Sequence, residues 1–268
     1  MEMLLIAINN YMKSCRASLI GIICCFGLEM ASAQTSSDGD ISIGVTTGIG
    51  FAKGTDERFS KGVQLGNPVT IGLSGGRQQG RSILSASFDL SYGDFQYSQN
   101  KAVGIFRKST EVNLSYMFGL FIDQSKHLEF YGGVNLGLIG TRRSYSELLN
   151  NNKSYETLFP IDLKVLATYK FGPSDQFRIK NQIYFSAAGL FKQSAFGNVG
   201  TNDNSSENWE LTSLTKLTRF FNQTELAFWL SQKHSIGVNY IFKNYSLTTG
   251  RNVKYLEHLV GVCYKLSL

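Results

Sequence analysis

The sequence predicts an all-β fold: a transmembrane up-and-down antiparallel β-barrel of about ten strands, or eight, preceded by a cleavable signal peptide. Three observations carry the prediction. Segments that alternate apolar and polar residues recur along the chain, the connections between them alternate in length, and aromatics of the apolar parity gather near the segment ends. No extended helical stretch intervenes.

The first element is the signal. Lys13 and Arg16, an apolar run from Leu19 to Leu28 and the triplet Ala31-Ser32-Ala33 read as a secretory leader over residues 1–33, cut before Gln34. That run falls well short of the roughly 20 residues a helix needs to cross a bilayer. Cys15, Cys24 and Cys25 leave with the leader, so one thiol, Cys263, remains and no internal disulfide can form. The residues before Cys24 and Cys25 lack the Leu-x-small-Cys order of a lipoprotein signal, so no lipid anchor is expected. Residues 34–40 read as a polar tail and 41–268 as the barrel. The net charge of +6 comes from scattered basic residues that form no block, which argues against a nucleic-acid partner.

The strands follow in order. "ISIGVTTGIGF", Ile41 to Phe51, places Ile41, Ile43, Val45, Ile49 and Phe51 on one parity and Ser, Thr and Gly on the other. Val69 to Gly75 is a weaker member. Leu84 to Tyr92, Phe106 to Phe118, Leu128 to Leu138, Ile161 to Phe171 and Phe177 to Phe185 repeat the pattern clearly. Thr224 to Leu230 and Ile236 to Phe242 are weaker again, and Leu256 to Leu268 closes the chain.

Short connections fall at Gly75 to Arg81, Asp123 to Lys126, Gly172 to Asp175 and Ser231 to His234. Longer ones fall at Ala52 to Gly66, Arg142 to Glu156 and Lys192 to Asn208, while Ser98 to Ala102 and Thr248 to Arg251 are short but on the long-loop side. This alternation describes a meander. Tyr116, Phe118, Phe130, Tyr169, Phe171, Phe177, Phe228 and Tyr264 fall at the short-turn rim. Phe51, Tyr92, Phe106, Phe191 and Phe242 fall at the long-loop rim. Two aromatic girdles around an aliphatic band match the two membrane–water interfaces. A soluble β-sandwich or lipocalin-type barrel shares the alternation, and parity alone does not say which side is inside. Strand length, girdles and the export signal favour lipid outside, where a sheet must close to pair its backbone.

The leader, the meander and the terminal strand resemble the outer-membrane β-barrel (porin-like) family of Gram-negative bacteria, over about Ile41 to Leu268. "LVGVCYKLSL" is similar to that family's C-terminal assembly signal through Gly261, Tyr264, Leu266 and Leu268, and departs from it by ending in Leu rather than an aromatic. The resemblance implies residence in the outer membrane among its lipids, with the barrel-assembly machinery as a partner during biogenesis. Any envelope protein partner is left undefined.

Turned inward are Asp89, Arg107, Glu111, Glu129, Asp162, Lys164, Lys170, Arg178, Lys180, Glu225, Glu257 and Lys265. In a narrow lumen such charges are tolerable when paired, so they read as a network plugging the interior; a polar pore is the alternative. Inward Gly and Ser on the first, second and ninth strands leave room for the long side chains opposite. "GGRQQGRS", Gly75 to Ser82, mimics a phosphate loop but joins two antiparallel strands, and so reads as a turn. His127, His234 and His258 show no metal-ligand spacing. Enzymatic barrels of the lipid A deacylase or rim protease type place His with Ser or Asp at the loop-side rim; here only His258 lies on that half, and Glu257 points the other way. No catalytic residue, metal or cofactor is expected. "WELTSLTKLTRFF", residues 209–221, reads as a short loop helix or an extension of the eighth strand, with the strand favoured. The function expected is a plugged barrel with a structural, adhesive or scaffold role through its loops, with a narrow passive channel as the alternative.

Overall fold

A computed structural model describes residues 40–56, 60–98, 104–145, 153–193, 209–213, 216–249 and 251–268. The expected leader, the tail before Asp40 and nearly all of the Lys192 to Asn208 connection lie outside the described residues. The strands are β1 (Asp40–Asp56), β2 (Ser60–Gly66), β3 (Val69–Gln79), β4 (Ser82–Tyr97), β5 (Gly104–Ile122) and β6 (Leu128–Tyr145). They continue as β7 (Lys153–Phe171), β8 (Phe177–Gln193), β9 (Glu210–Ser213), β10 (Leu217–Trp229), β11 (His234–Thr249) and β12 (Arg251–Ser267). One 3-10 turn, Pro173–Asp175, joins β7 to β8.

These twelve strands form one antiparallel sheet closed on itself. β2 and β3 run end to end along β1 and β4, and β9 and β10 do the same along β8, so the ring has about ten staves, as the sequence pattern predicts. The break in the second stave sits at Asn67-Pro68, where proline cannot donate to the ladder; its carbonyl instead accepts from Gly50 N–H at 3.0 Å. The seam joins β1 to β12 in unbroken register from Ser42↔Ser267 to Asp56↔Val253. Closure pairs every stave with a neighbour on each side, although the short β9 segment pairs with β8 alone among the described residues.

The outer wall is apolar. On β1, Val45, Ile49 and Phe51 are 46, 68 and 46% exposed, and Leu114, Leu136, Leu163, Val238 and Val260 continue the band around the ring. Tyr116, Phe118, Phe130, Tyr169, Phe228 and Tyr264 border it at the short-turn end, and Phe51, Tyr92 and Phe106 at the other. Apolar surface of this extent, encircling the molecule, is stable in hydrocarbon and not in water.

Four expectations need correction or completion. Phe191 is buried inside, and Leu190 takes the outward position. A β-bulge in β8 causes this: Ile161 faces Ala188 while Asp162 faces Ser186, so Ala187 is an extra residue and the alternation flips beyond it. The Ala52 to Gly66 stretch is a continued hairpin rather than a long loop, with Ala52↔Gly66 to Thr55↔Val63 paired. Strands also reach to Tyr145 and from Lys153, which shortens the Arg142 to Glu156 connection. In the 209–221 stretch the described residues form two strands, the reading favoured: β9 lies along β8 and β10 begins at Leu217, together extending the eighth stave.

Candidate functional site

The lumen is stratified. At the long-loop end, inward Ala52, Phe95, Tyr97, Ile105, Tyr145 and Tyr255 form one hydrophobic cluster, and Leu158, Phe191, Leu217, Leu247 and Val253 form another. Each Val, Leu, Ile or Phe among them adds about 1.5–3 kcal/mol when removed from water. Filling the bore this way uses the strand extensions that carry Ala52, Tyr145 and Leu217.

Below these clusters, charges cross the bore. Arg219 on β10 donates to Asp162 on β7 at 2.5 Å and to Glu111 on β5. Lys243 on β11, on the opposite side of the ring from β5, reaches Glu111 at 3.0 Å. Asp162 has further partners on adjacent staves, Asn135 and Ser186 donating to it at 2.8 and 2.6 Å, and Asn113, two residues along the same strand, donates to Glu111 at 3.1 Å. Tyr184 and Phe221 stack at 4.1 Å beside them, with the Arg219 guanidinium 4.9 Å above the Tyr184 ring. Asp89 stands directly opposite Glu111 on the neighbouring stave, and Lys243, 3.0 Å from Glu111, offsets that like-charge pair.

A second tier lies nearer the long-loop end. Arg107 and Arg143 face each other across β5 and β6. Arg143 meets Glu156 at 2.7 Å and Asp56 at 3.7 Å, while Arg107 meets Glu257 at 3.6 Å and lies 3.6 Å from the Tyr255 ring centroid. The Tyr245 hydroxyl donates to Glu156 at 2.6 Å. Between the tiers is a cavity of about 70 Å³. At the short-turn end the lumen opens into one of about 820 Å³, where Lys170 pairs with Glu129 at 3.0 Å and Lys265 with Glu225 at 2.5 Å.

All twelve charges read from the sequence thus lie on the inner wall, but they do not form one network. Asp162 and Glu111 belong to the crossing tier, Arg107 and Glu257 to the upper tier, and Glu129, Lys170, Glu225 and Lys265 to the open end. Asp89 flanks the crossing tier. Lys164, Arg178 and Lys180 line the open end, and Lys164 donates to Ser115 at 3.0 Å. Sequence reasoning missed Arg219, Lys243, Arg143, Glu156 and Asp56, because each lies where the pattern reads as loop or ends one residue too soon.

The histidines stand apart from these tiers. His258 Nδ1 is 2.7 Å from the Tyr240 hydroxyl on the outer wall, His234 Nδ1 is 2.5 Å from the Tyr264 hydroxyl, and His127 Nε2 is 3.2 Å from Asp175. Among the described residues, no group of three or more His, Cys, Asp or Glu is arranged to hold a metal ion. The phosphate-loop mimic is a hairpin: Gly80, at φ +57°, opens the turn between β3 and β4.

A closed antiparallel ring, an encircling apolar band with aromatic borders and a polar, tied interior define a transmembrane β-barrel of the outer-membrane class, and its place is the outer membrane. No family model matches the sequence, and no curated protein matches it. Solved structures do. The outer membrane protease OmpT of Escherichia coli is similar over 86% of this chain and 96% of its own, at 9% identity and a TM-score of 0.48. The translocator domain of the autotransporter NalP from Neisseria meningitidis is similar over 93% and 97%, at 13% identity and a TM-score of 0.43. An outer membrane channel from Pseudomonas putida F1 is similar over 87% and 97%, at 10% identity and a TM-score of 0.38.

Proposed function

We propose that this protein is a non-conducting, non-catalytic outer-membrane barrel that acts as a structural, adhesive or scaffold element through its extracellular connections. One observation carries the reading: Arg219 and Lys243 reach across the bore to Glu111 and Asp162, with hydrophobic side chains filling the bore beyond them. A solute would have to separate buried ion pairs, and exposing one unpartnered buried charge costs about 3–5 kcal/mol. Outer-membrane lipid around the belt and the barrel-assembly machinery during biogenesis are the partners this role requires.

Reconstitution into planar bilayers tests the reading. The expected record is silent at moderate voltages; discrete single-channel steps would replace it with the second reading, a narrow passive channel for small polar solutes. That alternative is favoured by the polar cavity at the short-turn end and the smaller one above the crossing tier.

A further inference from the structure

The cavity at the short-turn end, about 820 Å³, owes its shape to unequal walls. Ser42 and Gly44 on β1 and Gly72, Ser74 and Gly76 on β3 contribute little side chain, while β7, β8 and β12 carry long cations. Eight Lys and Arg line it against five Asp and Glu. Several of those acids are already engaged. Glu129 accepts from Lys170 at 3.0 Å, both Glu225 oxygens accept from Lys265 at 2.5 and 2.7 Å, and Asp175 is 3.2 Å from His127.

Among the described residues, Lys164, Arg178 and Lys180 have no carboxylate at ion-pair distance. The Arg178 guanidinium lies 4.9 Å from the Trp229 ring centroid, and the buried Arg178 Nε and Trp229 Nε1 have no acceptor among the described residues. Register sets Lys170 directly opposite Arg178, with Lys180 two residues along the same face of β8. Like charges opposed in this way are destabilising unless an anion lies between them.

We propose that this vestibule binds a small solute carrying a multivalent oxyanion of the phosphate class, held by Arg178 and Lys180 and reaching toward Lys164. Lys164, Arg178, Lys180 and the Trp229 indole are all donors, so the ligand they fit offers oxygen acceptors and at least two negative charges. The planar guanidinium fork matches two phosphate oxygens, and the lysines add point charge. Binding here goes beyond the proposed function and does not depend on whether the bore conducts, so a silent or active bilayer leaves it standing.

The chain has two tryptophans, so Trp209→Phe leaves Trp229 as the reporter inside the vestibule. Titrating the folded barrel in detergent with inorganic pyrophosphate should give a saturable change in Trp229 fluorescence. Lys180→Gln and Lys164→Gln should each weaken it about tenfold, a difference of about 1.4 kcal/mol, while Lys53→Gln on the outer wall should leave it unchanged. Equilibrium dialysis of radiolabelled pyrophosphate against the parent chain reports binding even if a variant fails to fold. No saturable response and no retained label would overturn the proposal, as would equal affinity in Lys180→Gln. Saturation by citrate but not by pyrophosphate would overturn the phosphate class.

Discussion

Arg219 serves two carboxylates from two other staves, so its loss strands Asp162 and removes one of the two cations on Glu111. Arg219→Leu leaves Glu111 with Lys243 and Asp162 with only neutral donors, which predicts a loss of about 3–5 kcal/mol. In detergent, the unheated folded band should convert to the unfolded mobility at a clearly lower temperature than in the parent. Lys180→Gln should behave differently: no carboxylate depends on Lys180 for an ion pair, so its folded band should persist to the parent temperature or above. Most of the inner-wall charges were legible from parity alone, because a side chain's face in a strand follows from counting by two. Arg219 and Lys243 were not, because no parity could be assigned until the eighth stave was known to be strand and the next to continue past Phe242.

At the scale of the element, β8 shows where counting by two fails. Phe185 faces outward and Phe191 inward, although both are odd-numbered, because Ala187 is inserted between them. A bulge leaves almost no trace in a lone sequence: "FSAAGLF" reads as uninterrupted alternation whichever parity is chosen. A nitroxide attached at Leu190→Cys should be relaxed by lipid-soluble oxygen, and one at Phe191→Cys should be shielded from it. Reversed accessibilities would remove the bulge. The hairpin beyond Ala52 escaped for another reason: its Lys, Gly, Asp and Ser content has the composition of a loop, and what holds it as strand is inward packing against Phe95 and Tyr255, which is tertiary.

For the whole molecule, the ring fixes where its rims can lie. β1 begins and β12 ends at the short-turn rim, where Leu268 N–H donates to Ile41 C=O at 2.8 Å. With that rim in the periplasm, protease added to intact cells should cut within Lys192 to Asn208 and spare Asp123 to Lys126. Cleavage at Asp123 to Lys126 with the longer stretch protected would invert the orientation. Boiled and unboiled protein should also migrate differently on a detergent gel; equal mobility, with release from membranes by carbonate, would count against the membrane barrel. Closure, stave number and the lipid-facing side were legible because they follow from periodicity and turn spacing. The stratified lumen was not, since it depends on which distant staves face each other.

That dependence bears on how the barrel is made. Glu111 finds Arg219 at a separation of 108 residues and Lys243 at 132, whereas the hairpins around the ring join residues close in the chain. Neighbouring staves can therefore zip together early, at little entropic cost for each loop closed. Glu111 must wait for β10 and β11, and until they arrive its charge is kept by water. Drying of the bore is thus a late event in biogenesis, and a half-built sheet of this chain is a wet, open trough rather than a smaller version of the finished cylinder.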